Sequence, residues 1–73
     1  MMDLKVGSPV LCSDGKAGRL AYVVVDEDDE VVTSLIVRHG KLLARDVVVP
    51  VGWVERVDEE GIHLNASLEE LDR

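Results

Sequence analysis

Short apolar runs alternate with short polar turns from residue 8 to residue 64 of the chain. Valine dominates the apolar runs, and its stiff, branched side chain packs well on a pleated surface. Apolar runs separated at close intervals by turn residues predict the strands of a small barrel or sandwich. We therefore expect an all-β domain with strands at residues 8–12, 18–26, 31–38, 42–49, 53–57 and 62–64.

Glycine and proline mark most ends of these runs. A glycine such as Gly15 can adopt the positive φ that a tight turn requires. Pro50 lacks the N–H that a strand ladder uses, so it predicts a strand end or an edge strand. We assign structural roles in turns to Gly15, Gly18, Gly40, Pro50 and Gly61.

A helical pattern occurs at the C-terminal end. Ser67 can cap a helix, and Glu70 follows three residues later, as in a capping box. Leu68 and Leu71 then lie on one helix face. We predict a short helix at about 67–72, which is too short to be stable alone in water. Either it docks on the barrel or the chain belongs to a longer protein.

The length of 73 residues fits a single domain over residues 1–73, and the charge limits its partners. The formal net charge of −7 repels polyanions, and the basic residues form only a loose group at Arg38, Lys41 and Arg45. Direct binding to nucleic acid or to an anionic membrane is therefore disfavoured, whereas a basic protein surface is a plausible partner.

Residues 1–5 lack the apolar core of a signal peptide, and no apolar run approaches the ~20 residues of a membrane span. The single cysteine, Cys12, cannot form an internal disulfide, which fits a reducing compartment. We expect a cytoplasmic protein.

Several segments, taken in order, resemble the PRC-barrel family: Val6-Gly7-Ser8-Pro9-Val10, Ser13-Asp14-Gly15-Lys16-Ala17-Gly18-Arg19-Leu20, Asp26 at the end of the second strand, and Arg45-Asp46-Val47-Val48-Val49-Pro50 before Trp53-Val54. The resemblance covers residues 4 to about 64. It implies a six-stranded, strongly bent antiparallel barrel, with the helix as a tail, that acts as an adaptor. Relatives occur in a photosynthetic reaction-centre subunit, in a ribosome-maturation factor and as small stand-alone proteins, and none of these uses makes the fold an enzyme.

The residues that could carry chemistry have simpler interpretations. His39 and His63 lack partners at the spacing of a metal site. Cys12 has no positive neighbourhood in the sequence to activate its thiol. The acidic run 26–30 lacks the spaced ligands and central glycine of a calcium loop and fits a solvated turn. We predict no catalytic residue, no metal site and no cofactor.

The valine triplets 23–25 and 47–49 depart from strict alternation. Val24 and Val48 should point away from the triplet neighbours, and Val32 should point away from Val31. Three interpretations of such outward valines are open. They are tolerated in solvent for their β-propensity, they are covered by the C-terminal helix, or they form a patch that meets another subunit. A small barrel has one interior and cannot bury both faces of a strand by itself. If the outward valines form a patch, they therefore predict a contact surface for another subunit.

Trp53 fits either the core, as the largest side chain available to fill it, or an exposed interface anchor; we favour the core.

These patterns favour a protein-interaction module that self-associates through outward valines or grips a basic protein surface. The alternative is a role in RNA processing or ribosome maturation, in which Trp53, Tyr22 and the loose basic group contact RNA or a ribosomal protein. The candidate interaction residues are Val24, Val32, Val48, Trp53, Arg38 and Arg45.

Overall fold

The computed structural model describes residues 4–40 and 42–72. Each predicted strand has an observed counterpart whose ends differ by a few residues. The elements are β1 (Pro9–Cys12), β2 (Gly15–Val25), β3 (Val32–His39), β4 (Arg45–Pro50), a 3₁₀ turn (Val51–Trp53), β5 (Val54–Asp58), β6 (Gly61–Leu64) and α1 (Leu68–Leu71).

The six strands form one mixed sheet in the order β4-β3-β2-β1-β6-β5. Four neighbouring pairs are antiparallel, whereas β1 and β6 run parallel, with Val10 opposite Ile62. The predicted antiparallel barrel is therefore wrong in two respects. One strand pair is parallel, and the sheet is not closed, because its edge strands β4 and β5 do not pair within the described residues.

The sheet is nevertheless forced to bend. The edge strands β4 and β5 are joined only by the 3₁₀ turn Val51–Trp53. Four Cα–Cα steps span at most about 14 Å, so the end of β4 and the start of β5 must approach each other. Two opposite edges that meet at one corner require a strongly curled sheet.

The inner face of the curled sheet holds the core. Its fully buried side chains come from β1, β2, β3, β4 and β6, and Trp53 packs half-buried against them, as favoured from the sequence. The largest of these buried residues are Leu20, Leu35, Ile62, Leu64, Val10, Val37 and Val49.

Two glycines permit strands to approach closely. A Cβ at Gly18 would collide with the carbonyl oxygen of Arg38, and a Cβ at Gly61 would collide with that of Pro9. Gly61 also has a φ of 137°, which L side chains rarely adopt. Gly61, at the start of β6, thus combines its predicted turn role with strand packing. The turn role predicted for Gly18 is wrong, because Gly18 lies inside β2, paired with Val10 and His39, where it allows close strand packing.

The remaining predicted turn residues lie where strands begin or end. Gly15 is the first residue of β2, Gly40 follows β3, and Pro50 is the last residue of the edge strand β4. Gly40 has a φ of 107°, in the left-handed region that favours glycine.

Helix α1 is capped and docked on the inner side. Ser67 Oγ accepts a hydrogen bond from the Glu70 N–H at 3.1 Å, and the Glu70 carboxylate accepts one from the Ser67 N–H at 3.0 Å. Asp14 Oδ1 accepts from the Leu68 N–H at 2.9 Å. Leu71 is buried in the core cluster. The capping box is confirmed, and the helix docks on the sheet.

Candidate protein-binding face

The outer surface of β2, β3 and β4 carries a row of apolar side chains. Tyr22 pairs with Ile36 across β2 and β3, and Ile36 pairs with Val48 across β3 and β4. Val24 extends the row along β2. We call Tyr22, Val24, Ile36 and Val48 the apolar face.

Sheet geometry and the bulge in β2 together produce this face. Ile36 lies between the buried Leu35 and Val37, so alternation points its side chain outward. The register of β2 shifts between Leu20 and Tyr22, which brings Tyr22 onto the same side as Ile36.

The apolar face is open to solvent. Tyr22 is 60% exposed, Val48 65% and Val24 41%. Helix α1 lies on the opposite side of the sheet, because Leu71 packs in the core. The helix therefore does not cover the outward valines, and one of the interpretations left open by the sequence is removed.

Arginines flank one end of the apolar face. Arg19 and Arg38 are opposite each other on β2 and β3. Arg38 Nε lies 3.1 Å from Oδ1 of Asp46. This hydrogen bond and the charge of Asp46 raise the pKa of Arg38 above its ordinary value. Arg19 Nη1 donates a hydrogen bond to the carbonyl oxygen of Gly7 at 2.8 Å. We call Arg19 and Arg38 the basic end.

Five consecutive carboxylates occupy the hairpin at the other end of β2 and β3. Asp26 Oδ1 accepts hydrogen bonds from the N–H groups of Asp28 at 2.8 Å and Asp29 at 3.3 Å. All residues of the run 26–30 are exposed, as expected for a solvated turn. We call this run the acidic hairpin.

An open groove of about 1040 Å³ adjoins the basic end. Tyr22, Arg19 and Arg38 line it together with Val6 and Ala44. It is continuous with the apolar face, because both include Tyr22.

Two neighbouring leucines are exposed in the loop between β3 and β4. Leu42 is 97% exposed and Leu43 is 93% exposed. The sequence prediction placed Leu42 at the start of the fourth strand, but that strand begins at Arg45. An apolar run alone does not reveal that its first residues lie in a turn.

The candidate residues from the sequence fall into different environments. Val24 and Val48 point outward, as predicted. The outward orientation predicted for Val32 is wrong, because it packs against the core. Val25 pairs with Val32 whereas Val24 pairs with Ser34, so a bulge at Thr33 turns Val32 inward.

The predicted basic group separates in the structure. Arg38 borders the apolar face, whereas Arg45 binds Asp72 after helix α1, with Nη2 at 2.9 Å from Oδ1. Lys41 lies outside the described residues. His39 also contacts Asp72, with Nε2 at 2.8 Å from Oδ1, while its Nδ1 lies 2.6 Å from the Ala17 carbonyl oxygen. Arg45 and His39 thus hold the helix to the sheet.

One group of possible metal ligands occurs in the hairpin of β5 and β6. Asp58, Glu60 and His63 each place a ligand atom within 4.8 Å of the others. Asp58 Oδ1 already accepts from the Glu60 N–H at 2.9 Å and lies 2.8 Å from His63 Nε2. The Arg56 guanidinium, 3.2 Å from Oδ2, opposes a further cation there. These contacts stabilise the hairpin, and together, with the His63 hydrogen bond contributing most, they lower the pKa of Asp58 to about 2.

Cys12 lies in the core cluster, where burial and the neighbouring Asp14 raise the pKa of its thiol. A raised pKa lowers the thiolate fraction, which disfavours a nucleophilic role.

No family model matches this chain, and no curated protein matches it in sequence. The resemblance to the PRC-barrel family therefore rests on the quoted motifs alone. Within residues 4–40 and 42–72, no helix has the length and apolar character that crossing a membrane requires.

Proposed function

We propose that this protein is a non-catalytic, PRC-barrel-like interaction module that self-associates through the apolar face. The observation that carries the proposal is the row Tyr22–Ile36–Val48, which crosses three strands on the outer side of the sheet. Contiguous exposed apolar patches bordered by polar residues commonly mark sites of protein–protein interaction.

The composition of the face suits an interface. Tyr22 presents a large, stiff ring with few torsions to fix on binding, and tyrosine is enriched among residues that dominate binding energy. Val24 and Val48 add apolar contact area, and burying their side chains removes no polar group from water. Arg38 and Asp46 border the row as an exposed ion pair, which resembles the polar rim of an interface around an apolar centre.

Self-association is tested by analytical ultracentrifugation of the wild-type protein and of Val48→Asp. Val48 is exposed, so aspartate there should leave the fold intact, whereas it would bury a charge in the proposed interface. We expect the wild type to associate and Val48→Asp to be monomeric at the same concentration. Leu43→Asp is the matched control, because it makes the same change at an exposed apolar residue outside the apolar face.

A wild-type protein that remains monomeric at about 1 mM would overturn self-association, since a dimer with a dissociation constant of about 1 mM or below is populated at that concentration. Loss of association in Leu43→Asp but not in Val48→Asp would place the interface on the β3–β4 loop instead.

One observation favours RNA as a second candidate partner. The exposed Tyr22 ring lies beside the basic end, and an aromatic ring next to cationic groups is an arrangement that stacks on a base and contacts its phosphate. A salt-dependent shift of a labelled single-stranded RNA that disappears in Arg38→Glu would support it. The net charge of −7 opposes it.

A further inference from the structure

Charge is segregated along the outer side of β2 and β3. Arg19 and Arg38 occupy one end of the strand pair, and the acidic hairpin occupies the other, with the apolar face between them. Asp46 is the acidic residue paired with Arg38 at the basic end. When a second copy of this surface is rotated by 180° so that its two ends are exchanged, its acidic hairpin faces the basic end of the first copy.

We infer that the partner of the apolar face is a second copy of this chain, docked face to face with its strands antiparallel, so that the basic end of each copy meets the acidic hairpin of the other. This inference rests on the proposed self-association and adds its geometry.

The spacing along β3 supports this arrangement. Arg38 lies four residues beyond Ser34 on β3, about 13 Å along the strand at about 3.3 Å per residue. In the other direction, β3 begins at Val32, two residues from Ser34, and the acidic hairpin lies just before it. A two-fold axis that crosses the strands near Ser34 therefore superposes the basic end of one copy on the acidic hairpin of the other.

The same axis covers further exposed apolar surface. Tyr22 and Ile36 lie about two residues from the level of Ser34 towards the basic end, and the axis carries them to the equivalent level towards the hairpin of the second copy. Val31, which precedes the inward-pointing Val32, is exposed in that region. Tyr22 of each copy would then contact Val31 at the base of the hairpin of the other copy.

Electrostatics selects this orientation over its alternative. Two copies docked with parallel strands would bring the acidic hairpins together, five carboxylates against five. Juxtaposed like charges disfavour association strongly, whereas the antiparallel orientation separates the hairpins to opposite ends of the interface.

Single charge reversals test the contact at each end. We expect Arg38→Glu and Asp28→Lys each to raise the dissociation constant of the dimer by roughly tenfold, measured by sedimentation equilibrium. Arg56→Glu and Glu59→Lys make the same changes of net charge in β5 and the β5–β6 turn, away from the face. These controls should leave the dissociation constant within about twofold, because exposed charges outside an interface contribute little.

A charge swap within one chain tests the pairing of the two ends. One variant reverses the basic end by Arg19→Glu and Arg38→Glu. The other reverses the hairpin by Glu27→Lys, Asp28→Lys and Asp29→Lys and keeps Asp26, whose carboxylate holds the turn. Each variant alone places like charges together at both ends of an antiparallel dimer. A third variant that carries both sets of substitutions has opposite charges at both ends of an antiparallel dimer, but like charges at both ends of a parallel one.

We expect native mass spectrometry to show dimers of the third variant and mostly monomers of the first two, and circular dichroism to show that each variant is folded. If the wild type dimerises through Val48 but the third variant does not dimerise, the antiparallel arrangement is wrong and the proposed function stands. If the wild type does not dimerise, or Val48→Asp leaves the dimer intact, the proposed self-association itself fails.

Discussion

Nε2 of His39 lies 2.8 Å from Oδ1 of Asp72, and this contact joins the end of β3 to the end of helix α1. The other ring nitrogen, Nδ1, lies 2.6 Å from the carbonyl oxygen of the buried Ala17. One imidazole thus links two strands and the helix. His39 is half-buried, so water does not readily replace either contact.

We predict that His39→Leu lowers the free energy of unfolding by about 1–3 kcal/mol, because it leaves the Ala17 carbonyl without this partner. Arg45→Leu removes the other contact of Asp72 at an exposed ion pair and should lower the free energy by less than about 1 kcal/mol. Urea denaturation measures both. Equal losses in the two variants would contradict the specific role of His39.

The contact between His63 and Asp58 predicts an acid titration. Hydrogen bonds from His63, which contributes most, and from Arg56 and the Glu60 N–H lower the pKa of Asp58 from 3.8 to about 2 in the folded protein. Because the folded-state pKa lies below the ordinary value, this carboxylate stabilises the fold above about pH 4, and the contribution is lost as the pH falls towards 2.

NMR titration of the Asp58 carboxyl carbon should therefore give a midpoint near 2 in the wild type. His63→Ala should move that midpoint towards 3.8, and Arg56→Ala should move it less, because the Arg56 hydrogen bond lowers the pKa by less than that of His63. An unchanged midpoint in His63→Ala would contradict the assignment.

Close strand packing predicts a sharp difference between glycines. Gly18→Ala places a methyl group against the Arg38 carbonyl oxygen and should reduce the free energy of unfolding by about 1–3 kcal/mol. Gly52→Ala places it where no other atom lies within 4 Å and should change stability by less than about 0.5 kcal/mol. Thermal denaturation of both variants measures the difference, and similar melting temperatures would argue against the close approach.

The capping box predicts the stability of the C-terminal helix. Ser67→Ala removes the hydroxyl that accepts from the Glu70 N–H and should destabilise the protein by about 1 kcal/mol. Ser67→Asp keeps an acceptor at this position and should recover most of that loss. A Ser67→Asp variant no more stable than Ser67→Ala would show that the cap does not govern helix stability.

The strands were predictable because their signals are local. Valine-rich runs and glycine turns depend only on neighbouring residues, so every strand was found. The outward orientation of Val24 and Val48 followed from the same alternation rule, since each lies in the middle of a valine triplet.

The predictions from the sequence are wrong or incomplete for features that depend on distant residues or on bulges. The bulge at Thr33 turned Val32 inward, and no local signal marks a bulge of this kind. The role of Arg45 depends on Asp72, which is 27 residues away in the sequence. The parallel pairing of β1 with β6 likewise joins segments from opposite ends of the chain, which alternation cannot reveal.

The position of β6 between β1 and β5 also constrains when the protein can fold during synthesis. Strands β1 to β4 can pair as soon as residue 50 has left the ribosome, because these neighbours are consecutive in the sequence. Strand β5 has no neighbour in the sheet until β6 emerges. A nascent chain stalled before residue 64 would therefore expose the edge of β1 and the inner side of the sheet, and would be open to chaperone binding and to proteolysis.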